Sequence, residues 1–320
     1  MTLPNFLIIG APKCGTTSLC FHLNRHPDVF MSKPKEIDFF NRQYYRGMLW
    51  YENHFQNWSG EKAVGEGSIT YSSTCLWPQV PRIIADNLPS VQLIYMVRHP
   101  IDRLESRWSQ HVANGDRIPE LNMAVREWRP ILEESLYWHQ INQFRRYFAD
   151  EQILILFYED FRTNPNATLK RCFEFLGVNS TYQVPGAQKN INPRSKLPMD
   201  TKLWSNIRNT AFGLAARRVL PEGVKDIFRA FLRKNLDVSP IWDEITLNWA
   251  IEVIENDARQ FLKYCGKDES FWDFGAEMTK RKLELSRKPG LKILAKTPFV
   301  RMSLLEYEML NNEDRHDQVN

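Results

Sequence analysis

The stretch Phe6-Leu-Ile-Ile-Gly10-Ala-Pro-Lys13-Cys-Gly15-Thr16-Thr17-Ser18 decides the fold class. Its first four residues form a fully apolar run ending at a glycine, the pattern of a strand buried on both faces of a parallel sheet. Leu19 and Leu23 lie four apart beyond it and Pro27 stops the pattern, so residues 16–26 read as a helix. Strand, glycine-bearing turn and helix in that order offer backbone N–H groups, with the positive helix end behind them, to an anion. Gly10 and Gly15 have the spacing of the P-loop GxxxxGK(S/T). Thr16, however, stands where that loop has its lysine, and Lys13 lies three residues earlier, inside the turn. That placement poises the ammonium over a shorter anion than a triphosphate.

Outward from this stretch the alternation continues. Val91–Val97 reads as a second strand and is followed by a helix with Ile101, Leu104, Trp108 and Val112 on one stripe. Residues 132–148 show the helical pattern again, through Leu132, Leu136, Phe144 and Phe148, and Ile153–Phe157 reads as a third strand. Asn164 and Pro165 suit the cap and first turn of a helix that Gly177 closes. Alternating strands and helices predict an α/β protein with a P-loop-like, doubly wound parallel sheet flanked by helices. Beyond residue 180 the sequence turns loop-rich and then helical around 243–264. We expect one domain over 1–275 and a basic C-terminal extension over 276–320. Residues 280–301 hold eight Lys or Arg and one acid, Glu284, read as a solvated tail or a contact for an anionic surface.

The chain has 320 residues and a formal net charge of +4, too mild for nucleic-acid binding by charge alone. No apolar run reaches the roughly 20 residues of a membrane span. The first ten residues lack a basic n-region and read as a strand rather than a signal peptide. The five cysteines form no CxxC and no metal-ligand spacing with histidine, so no metal is expected. A reduced, cytoplasmic protein is the expectation.

Arg98 follows the Val91–Val97 strand at its carboxyl end, the edge where α/β sheets bind ligands. Ser106 projects away from the apolar stripe of the next helix. A guanidinium fork beside a hydroxyl suits a phosphate dianion. No acid follows this strand in the position that holds Mg²⁺ in a nucleotide triphosphatase.

With both anion motifs in order, the sequence resembles the sulfotransferases that use 3′-phosphoadenosine 5′-phosphosulfate (PAPS), in their heparan-sulfate-type and bacterial branch. Residues 6–19 resemble the 5′-phosphosulfate loop, and Val97–Trp108 the 3′-phosphate motif. Lys35-Glu36-Ile-Asp-Phe-Phe40, Tyr45-Arg-Gly47, Trp50-Tyr51, Gly65–Tyr71 and Asn192–Lys196 follow in the family's order, so the resemblance spans about residues 4–275. It implies that Lys13 offsets charge on the departing 5′-phosphate, which Cys14, Gly15, Thr16 and Thr17 cradle. Arg98 and Ser106 would grip the 3′-phosphate, and Arg194, Ser195 and Lys196 would close over the nucleotide. Glu36 aligns with the family's general base. The implied reaction is metal-independent, in-line transfer of a sulfuryl group to a hydroxyl or amine.

Two departures bear on the acceptor. Gln110 stands where some relatives have a catalytic histidine, with His111 one step on as a candidate to assist. Gly67 stands where many heparan-type members have a lysine, which favours a smaller acceptor: a secondary metabolite, a lipid or a sugar. Glu66, Tyr45 and Tyr71 are its candidate contacts, within an aromatic set that includes Tyr44, Trp50, Tyr51 and Trp77. A P-loop nucleotide kinase and a non-catalytic nucleotide-binding protein are the competing readings. Whether the chain forms a homo-oligomer is open at this level.

Overall fold

The computed structural model describes residues 2–114, 116, 118–187, 197–200, 233–236 and 240–287. Strand β1 (Phe6–Gly10) is wholly buried and central in a five-stranded sheet. After α1 (Thr16–Leu23) come β2 (Val29–Met31), α2 (Met48–Glu52) and β3 (Ala63–Glu66), and α3 (Val80–Asn87) leads into β4 (Gln92–Val97). Four helices, α4 (Pro100–Asn114), α5 (Leu121–Glu127), α6 (Arg129–Glu133) and α7 (Tyr137–Arg145), separate β4 from β5 (Ile153–Phe157). Helices α8 (Tyr158–Thr163) and α9 (Pro165–Phe175) follow. Across the sheet the order is β2-β3-β1-β4-β5, and every pairing is parallel.

This is the doubly wound parallel α/β sheet that the sequence predicts. The chain builds one flank of β1 and then crosses to the other, so the ligand-binding edge lies at the carboxyl ends of the strands. Leu7 lies opposite Leu93 and Ile8 opposite Ile94. The Ala11 amide reaches the Met96 carbonyl at 2.6 Å, which brings the turns after β1 and β4 side by side. Asn164 caps α9 as expected, its Oδ1 accepting from the Ala167 amide at 3.1 Å.

Three features differ from expectation. Strands β2 and β3 carry no sequence pattern of their own: one has three residues, and the other ends in the buried acid Glu66. The helix expected over 132–148 is two helices, α6 and α7, broken at Glu134–Leu136. The cause is Arg103, a fully buried residue of α4. Its guanidinium donates to Ser135 Oγ at 2.7 Å, to Glu134 Oε2 at 2.9 Å and to the Ile131 carbonyl. A buried cation needs these acceptors more than the helix needs its period.

The third difference concerns the carboxyl-terminal part. A two-stranded antiparallel ribbon, β6 (Leu197–Asp200) and β7 (Arg233–Leu236), precedes α10 (Glu244–Tyr264) and α11 (Phe274–Arg287). Helix α10 buries Leu247, Ile251, Ile254, Phe261 and Leu262 in the common core. At about 1.5–3 kcal/mol for each fully buried large apolar side chain, it is an integral layer. The expected boundary at 275/276 falls inside α11. Arg281, expected in a solvated basic run, is 4% exposed. The rest of that run from residue 288 lies outside the described residues.

Candidate active site

The turn between β1 and α1 is fixed by two residues with left-handed backbone, Lys13 at φ +70° and Gly15 at φ +88°. Glycine is required at 15 twice over. Its φ is costly for a residue with a Cβ, and such a Cβ would stand 2.7 Å from the Tyr158 ring. The amides of Gly15, Thr16, Thr17 and Ser18 find no acceptor among the described residues. They are the open end of a helix, positively polarised and ready for an anion. The Cys14 side chain faces inward, 3.8 Å from the Tyr137 hydroxyl, and burial pushes its thiol up to about 12. Cys14 thus presents no thiolate, and its backbone amide is bonded within the turn to the Ala11 carbonyl at 3.3 Å. Thr16 is buried, and Thr17 is exposed on the turn.

Arg98 leaves the carboxyl end of β4 with its guanidinium over the Tyr158 ring, 5.2 Å from the centroid. One aromatic ring therefore touches both anion motifs: the loop at Gly15 and the fork of Arg98. Tyr137 ties the two turns from below, since its hydroxyl donates to the Arg98 carbonyl at 2.8 Å and meets Cys14. Asp102 Oδ2 accepts from Arg98 Nη2 at 2.7 Å. Burial opposes the arginine's charge, and the Asp102 carboxylate outweighs it, holding the pKa above the ordinary value. Ser106 sits half-buried on α4, with no hydrogen-bond partner among the described residues.

Lys13 is surrounded by like charge. Burial first, then Arg107 and Arg98, lower its pKa to about 8. Its ammonium has no carboxylate partner among the described residues. Like charge around Lys13, with no carboxylate of its own, favours an anion beside it. Arg107 was not visible as a site residue in the sequence. It is held by Glu134 Oε2 at 3.3 Å, the same oxygen that accepts from Arg103.

Glu36 is exposed, and its Oε1 lies 2.6 Å from Lys35 Nζ. That ammonium also reaches Thr17 Oγ1 at 3.5 Å, so Lys35 links the Glu36 carboxylate to the phosphate turn. Lys35 opens the Lys35–Phe40 segment, but nothing local in the sequence ties it to Thr17. Its stem lies beside Gly67, where a Cβ would come within 2.7 Å of Cys20 Sγ and 3.6 Å of Lys35 Cγ.

Two of the expected acceptor contacts stand elsewhere. Glu66 is fully buried and accepts from Tyr51 at 3.0 Å, from Tyr71 at 2.7 Å, from Ser68 and from the Ile37 amide at 3.5 Å. Burial raises its pKa to about 7 against the pull of those hydrogen bonds. Tyr71 is equally buried, and its hydroxyl also accepts from the Phe40 amide at 3.3 Å. Both are bonded to the 36–40 segment that carries Glu36. Tyr45 is 73% exposed, with Arg46 over its ring.

His111 is buried on α4, its Nδ1 2.6 Å from Asp116 Oδ2 and its ring edge-on to Trp128. Burial lowers its pKa, and its Nε2 has no hydrogen-bond partner among the described residues. Arg194, Ser195 and Lys196 lie outside the described residues. Among the described residues no cluster of three or more His, Cys, Asp or Glu is placed to hold a metal ion.

Comparison with known proteins bears on this arrangement. The sulfotransferase domain family matches residues 3–196. The human bifunctional heparan sulfate N-deacetylase/N-sulfotransferase 2 is 34% identical over 200 residues, which cover 55% of this chain and 22% of that protein. The mouse heparan sulfate glucosamine 3-O-sulfotransferase 6 is 27% identical over 242 residues, 72% of this chain and 69% of that one. The crystal structure of a sulfotransferase from Alicyclobacillus acidocaldarius superposes with a TM-score of 0.54 at 26% identity, over 68% of this chain and 95% of the other. The chain thus spans about a fifth of the length of the bifunctional relative.

Proposed function

The chain belongs to the sulfotransferase domain family, and from that premise we propose that it moves a sulfuryl group from PAPS to a hydroxyl or amine, releasing adenosine 3′,5′-bisphosphate. The observation that carries this reading is the convergence of two anion cradles from neighbouring strands. Lys13 and the open amides of 15–18 stand at the end of β1, and Arg98 stands at the end of β4, with the Tyr158 ring touching both. Lys13, deprived of a carboxylate, favours an anion beside it and offsets negative charge as the 5′-phosphate departs. Arg98 and the unpaired Ser106 hydroxyl fit the 3′-phosphate, and Arg194, Ser195 and Lys196 are assigned to close over the nucleotide. Glu36 accepts the acceptor's proton as its oxygen or nitrogen bonds to sulfur and the bond from sulfur to the 5′-phosphate oxygen breaks. Lys35 orients that carboxylate. His111, held by Asp116 with Nε2 free, is the assisting base.

The proposed acceptor is a small molecule, a lipid or a carbohydrate within secondary metabolism. Gly67 supports the smaller end of that range, since no side chain fits there without moving Cys20. A cytoplasmic location is supported by the unpaired cysteines, of which Cys14, Cys20 and Cys172 are buried as thiols. No described helix is long and apolar enough to cross a membrane.

Thermal unfolding with nucleotides tests the donor. Adenosine 3′,5′-bisphosphate should raise Tm without Mg²⁺, whereas ATP with Mg²⁺ should not. The reverse result would favour the nucleotide kinase. Turnover of labelled PAPS with a metabolite extract tests the chemistry. Lys13→Ala should lower it by about 100-fold or more, and Glu36→Gln should lose transfer while keeping nucleotide affinity.

A further inference from the structure

Helix α11 lies outside the 3–196 match, yet one of its side chains reaches the candidate nucleotide site. Arg281, 4% exposed, places Nη2 3.0 Å from Asp102 Oδ1 and Nε 2.5 Å from Glu105 Oε1, and Nη1 meets Glu277. The other oxygen of Asp102 is the one that holds Arg98. A single carboxylate thus stands between two guanidinium groups, one on the ligand edge and one from the carboxyl-terminal helix. Glu105 is fixed in turn by Trp242 Nε1 at 2.8 Å. The same segment covers the turn after β4, with Trp272 and Phe274 against the His99 ring.

We propose that Arg281 is a positioning residue for recognition of the nucleotide's 3′-phosphate: by holding Asp102 Oδ1 it lets that carboxylate orient Arg98 without neutralising it. This rests on the assignment of Arg98 to the 3′-phosphate. An Asp102 bound only to Arg98 is a competing anion, and an incoming phosphate has to displace it. An Asp102 that also accepts from a second guanidinium neutralises less of the Arg98 charge and stays in place when the phosphate arrives. Glu105 from α4 and Glu277 from the same helix compensate Arg281 itself.

The test compares adenosine 3′,5′-bisphosphate with AMP, which lacks the 3′-phosphate, by calorimetry on the full chain. Removing Arg281 alone strands Glu105 in the interior, so the working variant is Arg281→Met with Glu105→Gln. Affinity for the bisphosphate should fall roughly tenfold while that for AMP stays unchanged. Adding Asp102→Asn should restore most of the loss, because the carboxylate that competes with the phosphate for Arg98 is then gone. Arg281→Lys should lie between wild type and the working variant. Equal losses for both nucleotides, or no recovery with Asp102→Asn, would make Arg281 a merely structural residue and overturn the proposal. Failure of the wild-type chain to prefer the bisphosphate over AMP would instead overturn the assignment of Arg98.

Discussion

Lys13 is held at φ +70° among arginines, and its pKa of about 8 places its titration near working pH. A bound anion favours the ammonium, so nucleotide binding should take up a proton between pH 8 and 9, measurable by calorimetry in buffers of different ionisation enthalpy. Affinity should fall about fivefold from pH 8 to pH 9, as the protonated fraction drops. Zero uptake across that interval would remove Lys13 from the anion site. Glu66 gives a second pH signature. Its folded pKa of about 7 lies above the ordinary carboxylate value of 4.5. Its contribution to stability is therefore fully present below pH 4.5 and is lost as the pH rises through 7. The Tm of wild type relative to Glu66→Gln should decline across that window and then level off. Glu66→Ala should cost about 3–5 kcal/mol in urea denaturation, since three hydroxyls and an amide lose their buried acceptor. From sequence, Glu66 fits an acceptor contact and a structural hydrogen bond equally well. Its burial depends on Tyr51 and Tyr71, which arrive from separate segments.

At the scale of elements, the β1–turn–α1 unit was legible because all its signals are local: an apolar run, two glycines and a proline stop. Gly15→Ala tests why the turn needs glycine. Its Cβ would meet the Tyr158 ring at 2.7 Å with φ at +88°, and a loss of about 1–3 kcal/mol is expected from left-handed strain and overpacking. Bisphosphate affinity should fall with it, because the amides of 15–18 turn with the backbone. An unchanged urea midpoint would mean that Tyr158 yields freely. Helix α4 was placed through its apolar stripe, but its polar face was not understood. Arg103, Arg107 and His111 recur there at intervals of four and meet Glu134 and Asp116 across space. Nothing local announces Glu134 as a partner, and for the same reason the break between α6 and α7 escaped the helical period. Strands β2 and β3 escaped it through shortness.

Over the whole molecule, α10 and α11 close the core and deliver Arg281 to Asp102 and Glu105. Truncation after residue 275 should therefore not yield an independent domain. The shortened chain should lose about 3 kcal/mol or more, because Glu105 is left buried without its cationic partner, and its Tm should drop accordingly. Equal melting of both forms would return the boundary to 275/276.

The sequence alone determined the parallel α/β class, the glycine turn with Lys13 displaced from the usual P-loop position, and the place of Arg98 at the end of the neighbouring strand. Those features are written in contiguous residues, where periodicity and turn chemistry act over a few positions. Only the tertiary structure decided that Tyr158 joins the two cradles, that Lys35 ties Glu36 to Thr17, that Glu66 and Tyr71 serve the interior, and that Arg281 stands behind Arg98. Each depends on side chains from distant segments meeting in a low-dielectric interior, where a buried charge is stable only if the fold supplies its partner.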